Sequence, residues 1–254
     1  MAEPMSTLTS KVKYGLWFFK KGYYSQFLFM LNKVRKERTR EEAVRWCKLI
    51  EISEDEVLDK LNIPRSQIEI DHHEFIEYAR SNQNKCPYLM GRGGSLNVLY
   101  SIIKTLHPRY VVETGVAYGW SSLAILLGNM TNEDARLWST DMPYPMLGNE
   151  NYVGCVIRGD LKNKWSLVRK PDISGLPEVL QECGLIDFFH YDSDKSYKGR
   201  MQTAQLIWDH LKMGGYFMSI NIHNNVAFKD FCDSKNRDPI VFKSHNKYIG
   251  IIRK

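Results

Sequence analysis

The sequence predicts an α/β fold, a mainly parallel seven-stranded sheet with an antiparallel terminal strand and an N-terminal helical appendage. Three features of the 254 residues lead there. From about residue 96 onward, short apolar runs suited to buried strands alternate with helix-like stretches, the order that a parallel sheet with crossover helices requires. The stretch YVVETGVAYGWSS, residues 110–122, carries an apolar strand into a helix through a loop of small residues. The chain closes on PIVFKSH and KYIGIIRK, two strand-like runs joined by a short polar turn, which read as a hairpin and supply the antiparallel member.

Taken in order, residues 1–10 are small and polar, as in a frayed end. Residues 11–40, KVKYGLWFFKKGYYSQFLFMLNKVRKERTR, interleave aromatics and leucines with lysines and arginines, the pattern of one or two amphipathic helices parted near Gly22. Such a stripe packs on the main domain or on a second copy of the chain in a homo-oligomer; the alternative is peripheral membrane contact. Residues 39–61 are helical in character, with Ser53 as N-cap and Glu56 three residues on, completing a capping box. Ile63-Pro64 stops that run. Further helices are expected over 72–81 and 95–106, with Gly91, Gly93 and Gly94 marking the loop between them. Strands are expected over 110–113, 136–140, 165–169, 186–191, 216–221, 240–243 and 248–253, and helices over 121–128, 176–183 and 198–211. The division follows: residues 1–94 form a helical cap and 95–254 the main domain.

Composition narrows the classes. Lysine plus arginine less aspartate plus glutamate is 35 − 29 = +6, a mild excess that does not mark a nucleic-acid binder. Cys47, Cys86, Cys155, Cys183 and Cys232 show no CxxC spacing, which suits a reducing cytoplasm and offers no zinc site. No apolar run reaches the roughly 18 residues of a membrane span, and no secretory leader is read at the N-terminus.

The 110–122 loop is the most informative segment. Glu113 ends the strand; Gly115, Ala117 and Gly119 follow at alternate positions; Ser121 and Ser122 open the next helix. Small residues there let the backbone turn sharply and approach a ligand without Cβ interference, outside the carboxyl end of the strand. The Glu-x-Gly-x-Ala-x-Gly spacing departs from the G-x-G-x-x-G dinucleotide fingerprint. One helix and one strand later, Asp141 in LWSTDMPYP stands where a carboxylate accepts ribose hydroxyl hydrogen bonds, with Met142 beside it. Asp172, after the next strand, is a candidate lining residue for an adenine pocket.

These segments, together with IDFFHYDSDKSYKGRMQTAQLIWDHLKMGGYFMS, resemble the class I S-adenosylmethionine-dependent O-methyltransferases of the family 24 type, related to the macrocin and cephalosporin methyltransferases. The resemblance runs over roughly residues 95–230. It implies a Rossmann-like methyltransferase fold and a cofactor pocket of Glu113, Gly115, Tyr118, Ser121 and Asp141, closed on one side by Asp192. S-adenosylmethionine has no pyrophosphate, so its site wants an acid for the methionine amino group where a dinucleotide site wants a bare helix N-terminus; Glu113 is placed near that position. The acceptor implied is a small-molecule or sugar/glycan hydroxyl, and the N-terminal segment, similar to leaders of methyltransferases found with glycan-assembly enzymes, points to a sugar or glycolipid.

Two departures shape the mechanism. Metal-dependent relatives hold a hard divalent cation with an Asp after the fourth strand and an acidic pair after the fifth. Here that pair falls on Ile220-Asn221, and Asp192 with Asn221 makes a poor metal site even with Asp194 nearby. Lys195 stands where relatives carry a histidine; it is protonated at neutral pH unless desolvated, and suits the orientation of an anionic acceptor. His223, just past the fifth strand, has an intrinsic pKa suited to taking a hydroxyl proton. The reading is metal-independent O-methylation, with His223 or Asp192 receiving the proton, Lys195 positioning the acceptor, and Tyr118, Trp120, Tyr144 and Tyr197 walling the site. Two rivals remain, a non-catalytic cofactor-binding or assembly subunit and a nicotinamide-dependent oxidoreductase. The loop spacing and LKMGGYF argue against the second.

Overall fold

The computed structural model describes residues 16–17, 20–23, 39–91, 93–143 and 148–254. Most of segment 11–40, on which the membrane and subunit contacts rest, lies outside them, as does Tyr144. In chain order the elements are α1 (Arg40–Ile50), β1 (Glu51–Ile52), α2 (Glu54–Lys60), α3 (Ile68–Asp71), α4 (His73–Asn84), α5 (Leu96–Leu106), β2 (Tyr110–Thr114), α6 (Trp120–Gly128), β3 (Arg136–Thr140), β4 (Trp165–Val168), α7 (Asp172–Cys183), β5 (Ile186–Tyr191), α8 (Tyr197–His210), β6 (Leu211–Ile220), α9 (Ala227–Lys235), β7 (Ile240–Ser244) and β8 (Lys247–Arg253).

The strands form one sheet in the order β1-β7-β8-β6-β5-β2-β3-β4. From β4 to β6 every neighbouring pair is parallel. The last strand, β8, is antiparallel to both β6 and β7 and slots between them. The antiparallel terminal strand is therefore last in sequence but internal in space. The sheet has eight strands where the sequence predicts seven, because Glu51–Ile52 pairs parallel with the outer edge of β7. Two residues are too short for an alternating pattern to register, so this strand has no signature of its own.

Alternation along the strands sorts side chains to two layers. Val111 and Phe188 join the cluster beneath α4, α5 and α6, while Val112 and Phe189 join the one beneath α7, α8 and α9. Helix α6 is buried almost all round, and Gly128 near its end lets it lie against Ile103 of α5. Helix α2 starts on the expected capping box: Glu56 N–H donates to Ser53 Oγ at 3.2 Å and Ser53 N–H to the Glu56 carboxylate at 2.7 Å. Helix α9, absent from the sequence reading, packs Phe228 and Phe231 on Phe217 of β6. Strand β6 also begins earlier than expected, at Leu211.

The inserted strand β8 depends on Gly250, where a Cβ would drive into the ring of Phe228. Gly250→Ala overpacks this layer, and denaturant melts should show a loss of about 1–3 kcal/mol. An unchanged midpoint would show that α9 yields freely.

Candidate active site

The carboxyl ends of β2, β3 and β5 meet at one edge of the sheet, and the loop after β2 is folded onto them. Gly115, Ala117 and Gly119 all have positive φ, at 82°, 50° and 98°. This alternation turns the chain in the space of five residues, and the non-glycine Ala117 is held in the costly conformation by its own N–H, which donates to Asp141 Oδ2 at 2.9 Å. Gly115 donates to the Thr140 carbonyl at 2.8 Å. A Cβ on Gly115 would stand 2.5 Å from the Asp192 carbonyl oxygen, so the loop lies directly against the chain leaving β5.

Asp141 is buried, and loss of solvent pushes its carboxyl up to about 6 against the opposing pull of Arg169. The Arg169 guanidinium sits 3.4 Å from Asp141 Oδ2, donates to the Asp141 carbonyl at 3.0 Å, and bonds Glu150 at 2.6 Å. Met142 follows, half-buried. Asp172 opens α7 nearby and accepts from Thr140 Oγ1 at 3.1 Å and from Ser193 Oγ, while Ser193 Oγ also contacts Thr114 Oγ1 at 2.8 Å. Burial lifts its carboxyl to about 6 as well. Three strand ends are thus tied into one polar floor.

The other predicted residues are engaged within the fold. Glu113 is fully buried inside the sheet layer and accepts from Ser122 Oγ and, at 2.9 Å, from Ser139 Oγ. Its other oxygen faces His190 Nδ1 at 3.4 Å, its register partner on β5. Glu113 and Ser122 therefore brace the loop from below. Ser121 is buried at the start of α6. The Tyr118 hydroxyl turns toward the segment after α4, donating to the Tyr88 carbonyl at 2.6 Å and accepting from Met90 N–H at 3.1 Å. Trp120 reaches α4, through Gln83 at 2.5 Å. Tyr197 is directed onto Asp230 at 2.9 Å.

At the ends of β5 and β6 lies a second group. Lys195 Nζ pairs with Asp192 Oδ1, and burial draws the lysine below its ordinary range while Asp192 pulls the other way. Asp194 turns onto Ser196, accepting from its N–H at 2.8 Å. His223 Nδ1 accepts the Tyr248 N–H at 3.3 Å, so the neutral ring carries its proton on Nε2; burial first, then nearby cations, keep it below the usual imidazole range. Asn221, with φ of 57°, receives Arg200 on its carbonyl at 3.4 Å. This donor set does not fit a divalent metal: an ammonium already sits on Asp192, Ile220 is buried and offers no ligand, and no cluster of three acidic, His or Cys ligands occurs among the described residues.

Residues 112–219 match the family model described as a methyltransferase domain. No curated protein matches the chain by sequence. Among solved structures, the O-methyltransferase of Bacillus cereus in complex with S-adenosylhomocysteine aligns with a TM-score of 0.55 at 13% identity, covering 82% of this chain and 100% of that one. The O-methyltransferase TomG of Streptomyces achromogenes, involved in tomaymycin synthesis and solved with S-adenosylmethionine, gives 0.54 at 11%, covering 87% and 99%. The S-adenosylhomocysteine-bound methyltransferase PaMTH1 of Podospora anserina gives 0.53 at 13%, covering 84% and 94%.

Within the matched residues, the sequence reading passes over Arg169, Ser193, His190 and Arg200. Arg169 carried a signal, since it closes a strand two positions ahead of Pro171-Asp172. His190 carried none beyond its place inside an apolar run.

The raised carboxyl of Asp172 makes a pH prediction. Its folded value of about 6 lies above the ordinary 3.8, so the folded protein keeps a proton that the unfolded chain releases first, and the group costs stability as pH rises from about 4 to about 6. In denaturant melts Asp172→Asn should gain on the parent by up to about 3 kcal/mol between pH 4 and pH 7. A difference independent of pH would contradict the assignment.

Proposed function

We propose that this chain is an S-adenosylmethionine-dependent O-methyltransferase that methylates a hydroxyl of a small molecule or sugar, without a metal, in the cytoplasm. The observation that carries the reading is Asp141: a buried carboxylate at the end of β3, fixed by the Ala117 N–H of the left-handed loop, in the place where a nucleoside's ribose hydroxyls find an acceptor. Gly115 and Gly119 leave the backbone bare for close approach, and Met142 and Asp172 border the adenine side. Glu113 acts through Ser122 and His190, holding the loop in place.

S-adenosylmethionine supplies an activated methyl on a sulfonium. The protein's part is to align the acceptor oxygen with that methyl in a pocket shielded from water, and to take the hydroxyl proton as the new C–O bond forms. Asp192 suits the proton, because it leaves β5 directly against Gly115 and ends beside Lys195. Lys195 positions the acceptor. His223, its Nδ1 engaged by Tyr248, serves as a hydrogen-bond donor through Nε2 in preference to a base. Residues 1–94 form a cap over the domain 95–254, a reading supported by the bonds of Tyr118 and Trp120 to residues 83–90.

Asp141→Ala should weaken S-adenosylhomocysteine binding in calorimetry by about ten- to a hundredfold, since the lost bonds are to a charged acceptor. Asp141→Asn, which keeps one acceptor oxygen, should fall between. Unchanged affinity in both variants would remove Asp141 from the cofactor site.

A further inference from the structure

The turn after β6 gathers cations from several separate elements. Asn225 Nδ2 donates to the Lys195 carbonyl at 2.8 Å, so the loop after β5 is tied to this turn. Arg200 of α8 is almost wholly buried and reaches Ser219 Oγ, the Ile220 carbonyl at 3.2 Å and the Asn221 carbonyl. Val226 N–H bonds Thr39 at 3.3 Å, which brings Arg40 at the start of α1 to the same place. From the β7–β8 hairpin, Tyr248 N–H bonds His223, Lys243 is the register partner of Tyr248 with its ammonium 5.8 Å from that ring, and Lys247 is next in the chain. The charges of Arg40, Arg200, Lys195 and Lys243 all act on His223, and those of Arg200 and Lys247 on Lys195.

Among the carboxylates, Asp192 pairs with Lys195, Asp194 accepts from Ser196 and Glu51 from the Tyr248 hydroxyl, and the five cations named outnumber these three. The rim adjoins the loop after β2, because the Asp192 carbonyl lies against Gly115. A cationic acceptor would face these charges and the sulfonium together, whereas an anion is drawn in by both.

We infer that the methyl acceptor carries an anionic group, a phosphate or a carboxylate, seated on the rim formed by Lys195, His223 and Lys247, with the buried Arg200 behind it. This rests on the methyltransferase reading. The ammonium of Lys195 and the Nε2–H of His223 donate to the anion's oxygens, and this fixes the distance from the anion to the hydroxyl that is methylated. Lys195 thereby becomes a specificity determinant as well as the partner of Asp192.

The test loads the full chain with S-adenosylhomocysteine, after measuring its affinity, and titrates it with inorganic phosphate and, separately, malonate while following backbone amide resonances. The account expects saturable shifts confined to residues 193–197, 221–225 and 245–249, with at least about tenfold weaker anion affinity in Lys195→Gln and, should that variant fold poorly, in Lys247→Gln. Tighter binding of phosphate or of malonate names the group. Shifts spread over the surface, or equal in parent and variants, with the adenosyl ligand bound, overturn the anionic seat and leave the methyltransferase reading standing. Failure of the parent chain to bind the adenosyl ligand overturns both.

Discussion

The Asp141 carboxylate holds the site together. It is buried at the end of β3, accepts the N–H of Ala117 from the neighbouring loop and meets the Arg169 guanidinium from the end of β4. Without an acceptor for that N–H, a non-glycine residue at positive φ inside a tight loop has little to hold it, and the sharp turn that brings Gly115 against the chain leaving β5 would relax. Burial makes the charge expensive, and Arg169 offsets part of that cost. The same carboxylate that shapes the loop is therefore kept polar and aimed at the edge of the sheet.

Beneath this floor the chain spends further buried polarity. Glu113, Ser122, Ser139 and His190 lie in the layer under α6, inside a sheet whose other residues there are apolar. Partly satisfied groups of this kind cost stability, and they are tolerated where they fix a unique arrangement at a working edge. Here the Glu113 carboxylate ties the first turn of α6 to β2 and β3, so the loop above has a braced base.

How much of this was legible depends on the range of the signal. Local patterns read well: the Ser53–Glu56 capping box, the strand over Ile186–Tyr191 and the small-residue loop all depend on neighbours in sequence. Asp141 could be singled out because its distance from the loop is fixed by one helix and one strand, and it does meet the loop, at the Ala117 N–H. What escaped was set by tertiary pairing. Glu51–Ile52 becomes a strand only because β7 offers an edge, and the Tyr118 hydroxyl is engaged only because Tyr88 and Met90 arrive there. Glu113 is read as standing near the methionine amino group, and its register opposite Ser139 and His190 sets it in the buried layer at the end of β2. Strand register, which one sequence does not disclose, decides whether an acid faces the site or the core.

The most direct test of the central claim is calorimetric titration of the purified, metal-stripped chain with S-adenosylmethionine and S-adenosylhomocysteine, alongside NADH and with Mg²⁺ added in a second series. The account predicts micromolar binding of both adenosyl ligands, no binding of NADH, and indifference to Mg²⁺. Binding of NADH in their place, or no adenosyl binding under any condition, would contradict it.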